Sequence, residues 1–245
     1  YYLFMKKKIC IVIPCYNVKK EILSVINSRY LAKSDSIVVI DDKCPQKTGL
    51  FLKKKLGENN RVKIIYHKNN LGVGGATISG FKYALKKKFD MIVKVDGDGQ
   101  HDLSILNKFK NEIINDKSDF CKGYRKLSFI NSKKIKMPVI RLIGAKGLTF
   151  LTRLNSGYWK LKDPCHGLIA FNYKTLKKLN LNKIKNNYFF EQDIIINVTK
   201  LNSRIKQFRN EVGYGSESSK LNPIMSIIPF LYYHLIYFIK NYLKI

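Results

Sequence analysis

The chain has 245 residues, 45% of them hydrophobic and 12% aromatic, which is enough for one substantial α/β domain and too apolar for global disorder. Its 46 Lys and Arg against 17 Asp and Glu give a formal net charge of +29, a surface suited to phosphates, acidic lipid headgroups or nucleic acid. Nucleic acid is set aside because no zinc-finger spacing, RNP-type strand or reading helix is present, and five cysteines without a C-x-x-C pair point to reduced thiols in the cytoplasm rather than to zinc or disulfides.

In chain order, Ile9–Pro14 reads as a buried strand, followed by helical character over Lys19–Arg29. Ser36–Ile40 is a second strand and Val62–Tyr66 a third, with Gly49–Leu56 helical between them. Thr77–Lys88 is predicted helical, and Met91–Val95 is a fourth strand. Strands alternating with helices imply parallel βαβ units and a sheet covered on both faces, with ligands bound beyond the carboxyl ends of the strands. Those ends carry Pro14-Cys15-Tyr16-Asn17, Asp41-Asp42 and Asp96-Gly97-Asp98.

The second half is predicted as a helix over Leu103–Asn115 with Asp102 near its N-cap, a strand Phe120–Tyr124, and a helix Pro138–Leu154. A strand Gly167–Phe171, a helix Tyr188–Lys200 and an edge strand Arg204–Val212 follow. Residues 1–220 are read as one catalytic domain and 221–245 as an appended apolar segment. The uncharged run Ile224–Ile239 would span about 24 Å as a helix, short of a hydrocarbon core of about 30 Å. With Tyr232, Tyr233, Tyr237 and flanking lysines it is expected to lie in a membrane interface, with packing on the protein's own core as the alternative.

Asp96, Asp98 and Gln100 alternate just past an apolar strand, so their side chains can converge on one side. Such hard oxygen donors suit Mg²⁺ or Mn²⁺, which keep waters and bind substrate phosphates, while Gly97 and Gly99 let backbone approach a ligand. An EF-hand fails, because it needs Gly at His101 and Glu at Asn107. A haloacid dehalogenase-type phosphohydrolase normally carries Asp-x-Asp on its first strand with a second acidic pair later, whereas Asp41-Asp42 come earlier here. A metal-dependent phosphohydrolase stays an alternative at this point, as does a plain surface turn.

Eight motifs in order resemble glycosyltransferase family 2, in its dolichyl-phosphate mannose synthase-like and polyprenyl-phosphate branch. They are Val12–Asn17, Ile40-Asp41-Asp42, Asn70–Ala76 with Gly80, Val95–His101, Lys122–Arg125, Asp163–Gly167, Phe189-Phe190-Glu191 and Tyr214–Ser219. The resemblance implies a GT-A fold, a Rossmann-like three-layer α/β/α sandwich with a mostly parallel mixed sheet. It implies an inverting, metal-dependent transfer of a sugar from a UDP- or GDP-sugar to a polyprenyl phosphate, with a saccharide hydroxyl as the alternative acceptor. On that likeness Pro14, Tyr16, Asn17, Asp41, Asp42 and Gly72 belong to the nucleotide-sugar pocket, and Asp96, Gly97, Asp98 and Gln100 to the metal and diphosphate site. Arg125 and Lys220 stand where phosphate-binding cations are expected. Asp163 is the first choice of base for a hydroxyl acceptor, with Glu191 or Asp193 next. Peripheral attachment to the cytosolic face of a membrane is expected from the apolar C-terminal segment and the basic surface. The chain departs from the pattern at Val18, at Lys43–Thr48 and at Gly213, positions that bear on donor and acceptor choice.

Overall fold

The computed structural model describes residues 7–128, 130, 137–210 and 223–242, with side chains from 228 onward in the last stretch. Strands β1 (Ile9–Cys15), β2 (Ser36–Asp41), β3 (Val62–Tyr66) and β4 (Met91–Lys94) alternate with α1 (Ile22–Ile26), α2 (Thr48–Leu56) and α3 (Gly72–Lys86). A 3₁₀ turn (Leu103–Ile105) leads into α4 (Leu106–Ile114) and β5 (Phe120–Tyr124). Beyond come α5 (Val139–Ser156), β6 (Ile169–Asn172), α6 (Tyr173–Lys178), α7 (Phe190–Lys200), β7 (Ile205–Arg209) and α8 (Pro223–Tyr242).

The strands form one sheet in the order β3-β2-β1-β4-β6-β5-β7. Pairs β1–β2, β2–β3, β1–β4 and β5–β7 are parallel, and β6 runs antiparallel to both its neighbours. All seven residues of β1 are buried, as expected for a strand covered on both faces. One apolar cluster joins α1, α2 and α4 to the sheet through Ile22, Leu52 and Phe109. The other joins α3, α6 and α7 through Phe81, Leu176 and Ile194. Strand order reverses between β1 and β4, so a crevice opens at their carboxyl ends, where Asp41, Asn17 and Asp96 emerge.

Several boundaries differ from the sequence reading. Helix α1 is short because the Lys19 N–H is taken by the Gln46 side chain (3.1 Å) and Asn27-Ser28 end the turn. Helix α3 starts five residues early, at Gly72, because the backbone of Lys185 and Asn186 lies against its first turn: the Gly74 N–H donates to Asn186 O (2.9 Å), and a Cβ on Gly74 would stand 2.5 Å from Lys185 O. Helix α6, unpredicted, is started by Asn172, whose side chain accepts from the Thr175 N–H (2.7 Å). Asp102 caps the 3₁₀ turn as expected, through the Ser104 N–H (2.9 Å). Strand β7 stops at Arg209; Glu211 and Val212 lie outside the described residues.

Helix α8 packs against α5 and α7. Phe230 and His234 are buried, and His234 is wedged between Asn155 of α5 and Gln192 of α7. Among the described residues, no helix is long and apolar enough to cross a membrane.

Candidate active site

The crevice wall at β1 and β2 is built from carboxylates that brace backbone. Asp41 accepts from the N–H groups of Cys44 (2.8 Å) and Gly49 (2.6 Å), tying the loop after β2 to the first turn of α2. Asp42 accepts from the Leu71 N–H (2.9 Å) and pairs with His67 (2.7 Å), which in turn reaches Ser79 (2.9 Å). Asn17, Lys43 and Lys47 all hold left-handed backbone (φ 56°, 54° and 51°) in the loops around this wall. Left-handed non-glycine residues are costly and cluster at sites where surrounding structure enforces them. Tyr16 is exposed at the mouth, directly after Pro14 and Cys15. Gly72 belongs to a different contact, since a Cβ there would stand 2.7 Å from Asn186 O; the room it leaves is filled by chain.

Past β4 the loop carries the acidic triplet. Asp96 receives Lys94 Nζ on Oδ1 (2.7 Å) and His101 Nε2 on Oδ2 (2.8 Å). Burial opposes its charge, but Lys94 and then His101 outweigh burial and hold the carboxyl far below the usual range. Asp98 is the opposite case. Burial and the neighbouring Asp96 push its pKa up, and the Gln100 N–H (3.1 Å) offsets only part of this. Gly97 is buried against Val18, Ile13 and Pro14, which keeps the loop close to β1.

The donor chemistry fits a hard divalent cation. Two carboxylates and an amide oxygen leave one loop, and Asp98 sits beside a second carboxylate with its charge undercompensated. His101 Nδ1 is buried with no hydrogen-bond partner among the described residues, and a cleft of about 200 Å³ lined by Ser24, Tyr30, Gly99 and others opens against this loop. Those residues contain no cluster of three or more His, Cys, Asp or Glu able to cage a metal alone. A cation here would therefore complete its shell with water and substrate phosphate, the habit of Mg²⁺ and Mn²⁺.

The facing wall comes from the second half. Asp163, fully buried, is clamped by Arg125 through Nε (2.7 Å) and Nη2 (3.1 Å), and also accepts from the Cys165 N–H (3.1 Å). Burial opposes its charge, but Arg125 and Lys122 hold the carboxyl well below its ordinary range. The two residues expected to act separately, Arg125 on phosphate and Asp163 as base, thus form one planar ion pair. Glu191, in the first turn of α7, reaches Lys94 Nζ (2.9 Å). Asp193 stands apart. Two residues on from Glu191, it faces the other side of the helix. There it accepts from the Lys185 N–H (2.7 Å), Asn197 and Tyr237, holding the loop and α8 rather than the crevice. Lys220 lies outside the described residues.

Two groups central to this wall were not singled out from sequence. Lys94 and Lys122 flank Ile169 in one register row of the sheet, and both are fully buried. Burial disfavours the ammonium of Lys94, yet Asp96 and Glu191 outweigh it and keep it charged. Burial draws the Lys122 pKa down to about 8 despite Asp163 and Glu191, and its Nζ donates to His166 O (2.6 Å). A lysine inside an otherwise apolar strand, as in Met91-Ile92-Val93-Lys94-Val95, is the signal that could have flagged them, because a buried cation demands a partner. Gly167 shows how tightly the walls meet: a Cβ there would collide with Asp96 Oδ2 and stand 2.8 Å from Lys94 Nζ. Beside it His166 stays neutral, its Nδ1 accepting from the Leu168 N–H (3.2 Å), and its ring stacks on His101 at 4.8 Å.

Comparison with known proteins agrees with this architecture. Residues 10–179 match the model of glycosyl transferase family 2. A UDP-N-acetylglucosamine–dolichyl-phosphate N-acetylglucosaminyltransferase of Methanococcus voltae is 36% identical over 187 residues, 71% of this chain and 73% of that protein. An undecaprenyl-phosphate mannosyltransferase of Micrococcus luteus is 26% identical over 200 residues, 81% of this chain and 80% of that one. Among solved structures, glucosyl-3-phosphoglycerate synthase from Mycobacterium tuberculosis, determined with Mn²⁺, UDP and glucosyl-3-phosphoglycerate, superposes with a TM-score of 0.63 at 14% identity over 96% of this chain and 79% of its own. That likeness shows the fold: the sandwich is of the GT-A type expected from the motifs. With a family match over more than half its length, the chain belongs to glycosyl transferase family 2 and is a glycosyltransferase.

Proposed function

We propose that the protein transfers a sugar from a nucleotide diphosphate sugar to a polyprenyl phosphate by inverting single displacement, at the cytosolic face of a membrane. The observation that carries the choice of acceptor is the Arg125–Asp163 pair. A sugar hydroxyl needs a base, and Asp163, the carboxylate best placed by sequence, has both oxygens engaged and its basicity suppressed. A phosphate acceptor is already ionised near neutral pH, with a relevant pKa of about 6, and attacks without one. The M. voltae and M. luteus relatives, named for dolichyl- and undecaprenyl-phosphate transfer, support the same acceptor class.

In the reaction an acceptor phosphate oxygen forms a bond to the anomeric carbon while the bond from that carbon to the diphosphate breaks, and the nucleoside diphosphate leaves with the electron pair. Asp96, Asp98 and Gln100 would hold Mg²⁺ or Mn²⁺, which supplies charge neutralisation on the leaving diphosphate. Asp41 and Asp42 keep the loops of the nucleoside pocket in place through backbone amides. Lys94 fixes Asp96 and Glu191 relative to each other across the crevice. A UDP-sugar is the first donor to test, since the M. voltae relative is named for one and the M. tuberculosis enzyme was solved with UDP; a GDP-sugar is the alternative.

The test is incubation of the purified chain with labelled UDP- and GDP-sugars, Mn²⁺ and polyprenyl phosphate. Label in an organic-soluble product is expected. Label that appears only in soluble saccharides would remove the lipid acceptor, and release of inorganic phosphate without sugar transfer would mark a phosphohydrolase instead.

A further inference from the structure

The loop between β2 and α2 is organised around a sulfur atom. Cys44 Sγ accepts from the Asn17 N–H (3.1 Å) and meets Thr48 Oγ1 at 3.1 Å. Helix α2 starts there without a capping side chain from Lys47, and the Cys44 sulfur lies against its first residue instead. Cys15, the last residue of β1, turns to the same side. It belongs to the apolar cluster of Ile22 and Leu52, and its thiol shares hydrogen bonds with Cys44 and Thr48. The end of β1 and the loop after β2 therefore meet thiol to thiol. Both cysteines are buried, but Lys43, Pro45, Gln46 and Lys47 are exposed, so Cys44 lies just under the surface. The five thiols are not alike. Burial pushes up those of Cys10, Cys121 and Cys165, and burial, then Cys44 and Asp41, pushes Cys15 up as well. At Cys44 burial is outweighed: the Thr48 hydroxyl and the N–H groups of Asn17, Thr48 and Gln46 hold the thiol below its ordinary value. A sulfur ringed by donors at a helix start, in a loop with two lysines, is a setting in which a thiolate forms and reacts with peroxide.

We propose that Cys44 and Cys15 are a peroxide-responsive pair whose disulfide shuts the nucleoside pocket. The Cys44 thiolate attacks one oxygen of hydrogen peroxide; the O–O bond breaks, leaving Cys44 sulfenic acid and a hydroxide that takes up the proton Cys44 released. The sulfur of Cys15 then attacks the sulfenic sulfur. The S–S bond forms, and the hydroxyl group leaves as water with the Cys15 proton. Two thiols are oxidised to one disulfide as one peroxide is reduced to two waters. Closing from a hydrogen bond to an S–S bond of about 2.05 Å draws the loop toward β1 and takes the sulfur from Asn17 and Thr48. Asn17, Lys43 and Lys47 hold left-handed backbone that the reduced loop enforces, and Asp41 is braced on the Cys44 and Gly49 amides. Tyr16 and Asn17 follow Cys15 directly, so the crosslink strains the residues expected to receive the nucleoside. This closure rests on the nucleoside-pocket reading; the pairing of the two thiols does not.

The test treats the whole reduced chain with hydrogen peroxide and maps the product by peptide mass spectrometry. A Cys15–Cys44 crosslink is expected, with Cys10, Cys121 and Cys165 still free and full reversal by dithiothreitol. In Cys15→Ala the reaction should stop at the sulfenic acid, which dimedone labels on Cys44. The rise in melting temperature produced by UDP- or GDP-sugar with Mn²⁺ should be lost in the oxidised chain and return on reduction. Cys44→Ser, compared with its own untreated form, should show the same rise before and after peroxide. If that variant does not fold, the wild-type map and its reversal decide alone. Peroxide that leaves both thiols free, or that oxidises Cys165 ahead of Cys44, would overturn the pair. A mapped crosslink with an undiminished rise would overturn the closure. A crosslink in a chain that binds no nucleotide-sugar even when reduced would remove the nucleoside-pocket reading and leave the thiol pair standing.

Discussion

The two walls of the crevice are made by different means. On the side of β1 and β2, Asp41 is satisfied by the backbone amides of Cys44 and Gly49 a few residues along the chain, and Asp42 by the Leu71 amide and His67 from the loop after β3. On the side of β5 and α7, Asp163 and Glu191 are satisfied by buried cations far away in sequence, Arg125 and Lys94. The first wall is a frame of backbone amides and one histidine drawn from the loops that follow β2 and β3. The second exists only when the sheet has closed, and Gly167 meeting Asp96 and Lys94 is the seam between them. A pocket made this way has one half set by local geometry and one half set by charge balance, so mutations should separate the two.

The largest effect is expected at Lys94. Lys94→Met strands two carboxylates, and breaking a buried pair from one side costs about 3–5 kcal/mol. Adding Glu191→Gln should recover part of the loss in urea unfolding; a single variant as stable as wild type would show that the facing wall does not depend on charge balance.

Asp163→Asn comes next, at about 3 kcal/mol by the same reasoning. The Asp163 pKa is depressed in the folded state, so its stabilisation is present above the unfolded value of 3.8 and lost only as pH falls well below it. The gap between variant and wild type should therefore be the same at neutral pH and at about pH 5. A gap that closes over that range would mean the Arg125 clamp is weak.

His234 tests how α8 is joined to this wall. Burial lowers its pKa from 6.5 to about 4, so the unfolded chain binds the extra proton first as pH falls. Stability should drop by about 2–3 kcal/mol between neutral pH and about pH 4.5, and His234→Gln should flatten that part of the curve. Identical pH dependence in the two proteins would sink the argument.

The smallest effect is expected from Asp193→Asn. Asp193 accepts from three donors, and an amide in its place turns an N–H₂ on one of them, so stability should fall by about 1–2 kcal/mol. Transfer rates within about twofold of wild type are expected; a hundredfold loss, about 2.7 kcal/mol in the barrier, would return Asp193 to the crevice.

The same contrast explains what the sequence made legible. Strands β1 to β4 were readable because a strand buried on both faces is an apolar run, and Asp41, Asp96 and Asp98 follow directly at strand ends. The start of α3 was hidden because Gly72 and Gly74 answer to Asn186 and Lys185, more than a hundred residues on. Arg125 and Asp163 were each singled out for separate roles, but their pairing is a tertiary fact that no local spacing contains. Lys94 and Lys122 were given no role of their own from sequence, and only sheet register places them in a row beneath the site. Asp193 was open to correction from sequence alone, since positions two apart on a helix do not share a face.

The central claim is that the loop after β4 anchors the donor diphosphate through a divalent cation held by Asp96, Asp98 and Gln100. Thermal melting with UDP- and GDP-sugars, in Mn²⁺ or in chelator, tests it most directly, because a ligand that binds the native state raises the transition by mass action. One nucleotide-sugar is expected to raise the melting temperature only with Mn²⁺, and Asp98→Ala is expected to melt like wild type without ligand and to lose that rise. An equal rise in chelator, or in Asp98→Ala, would contradict the account.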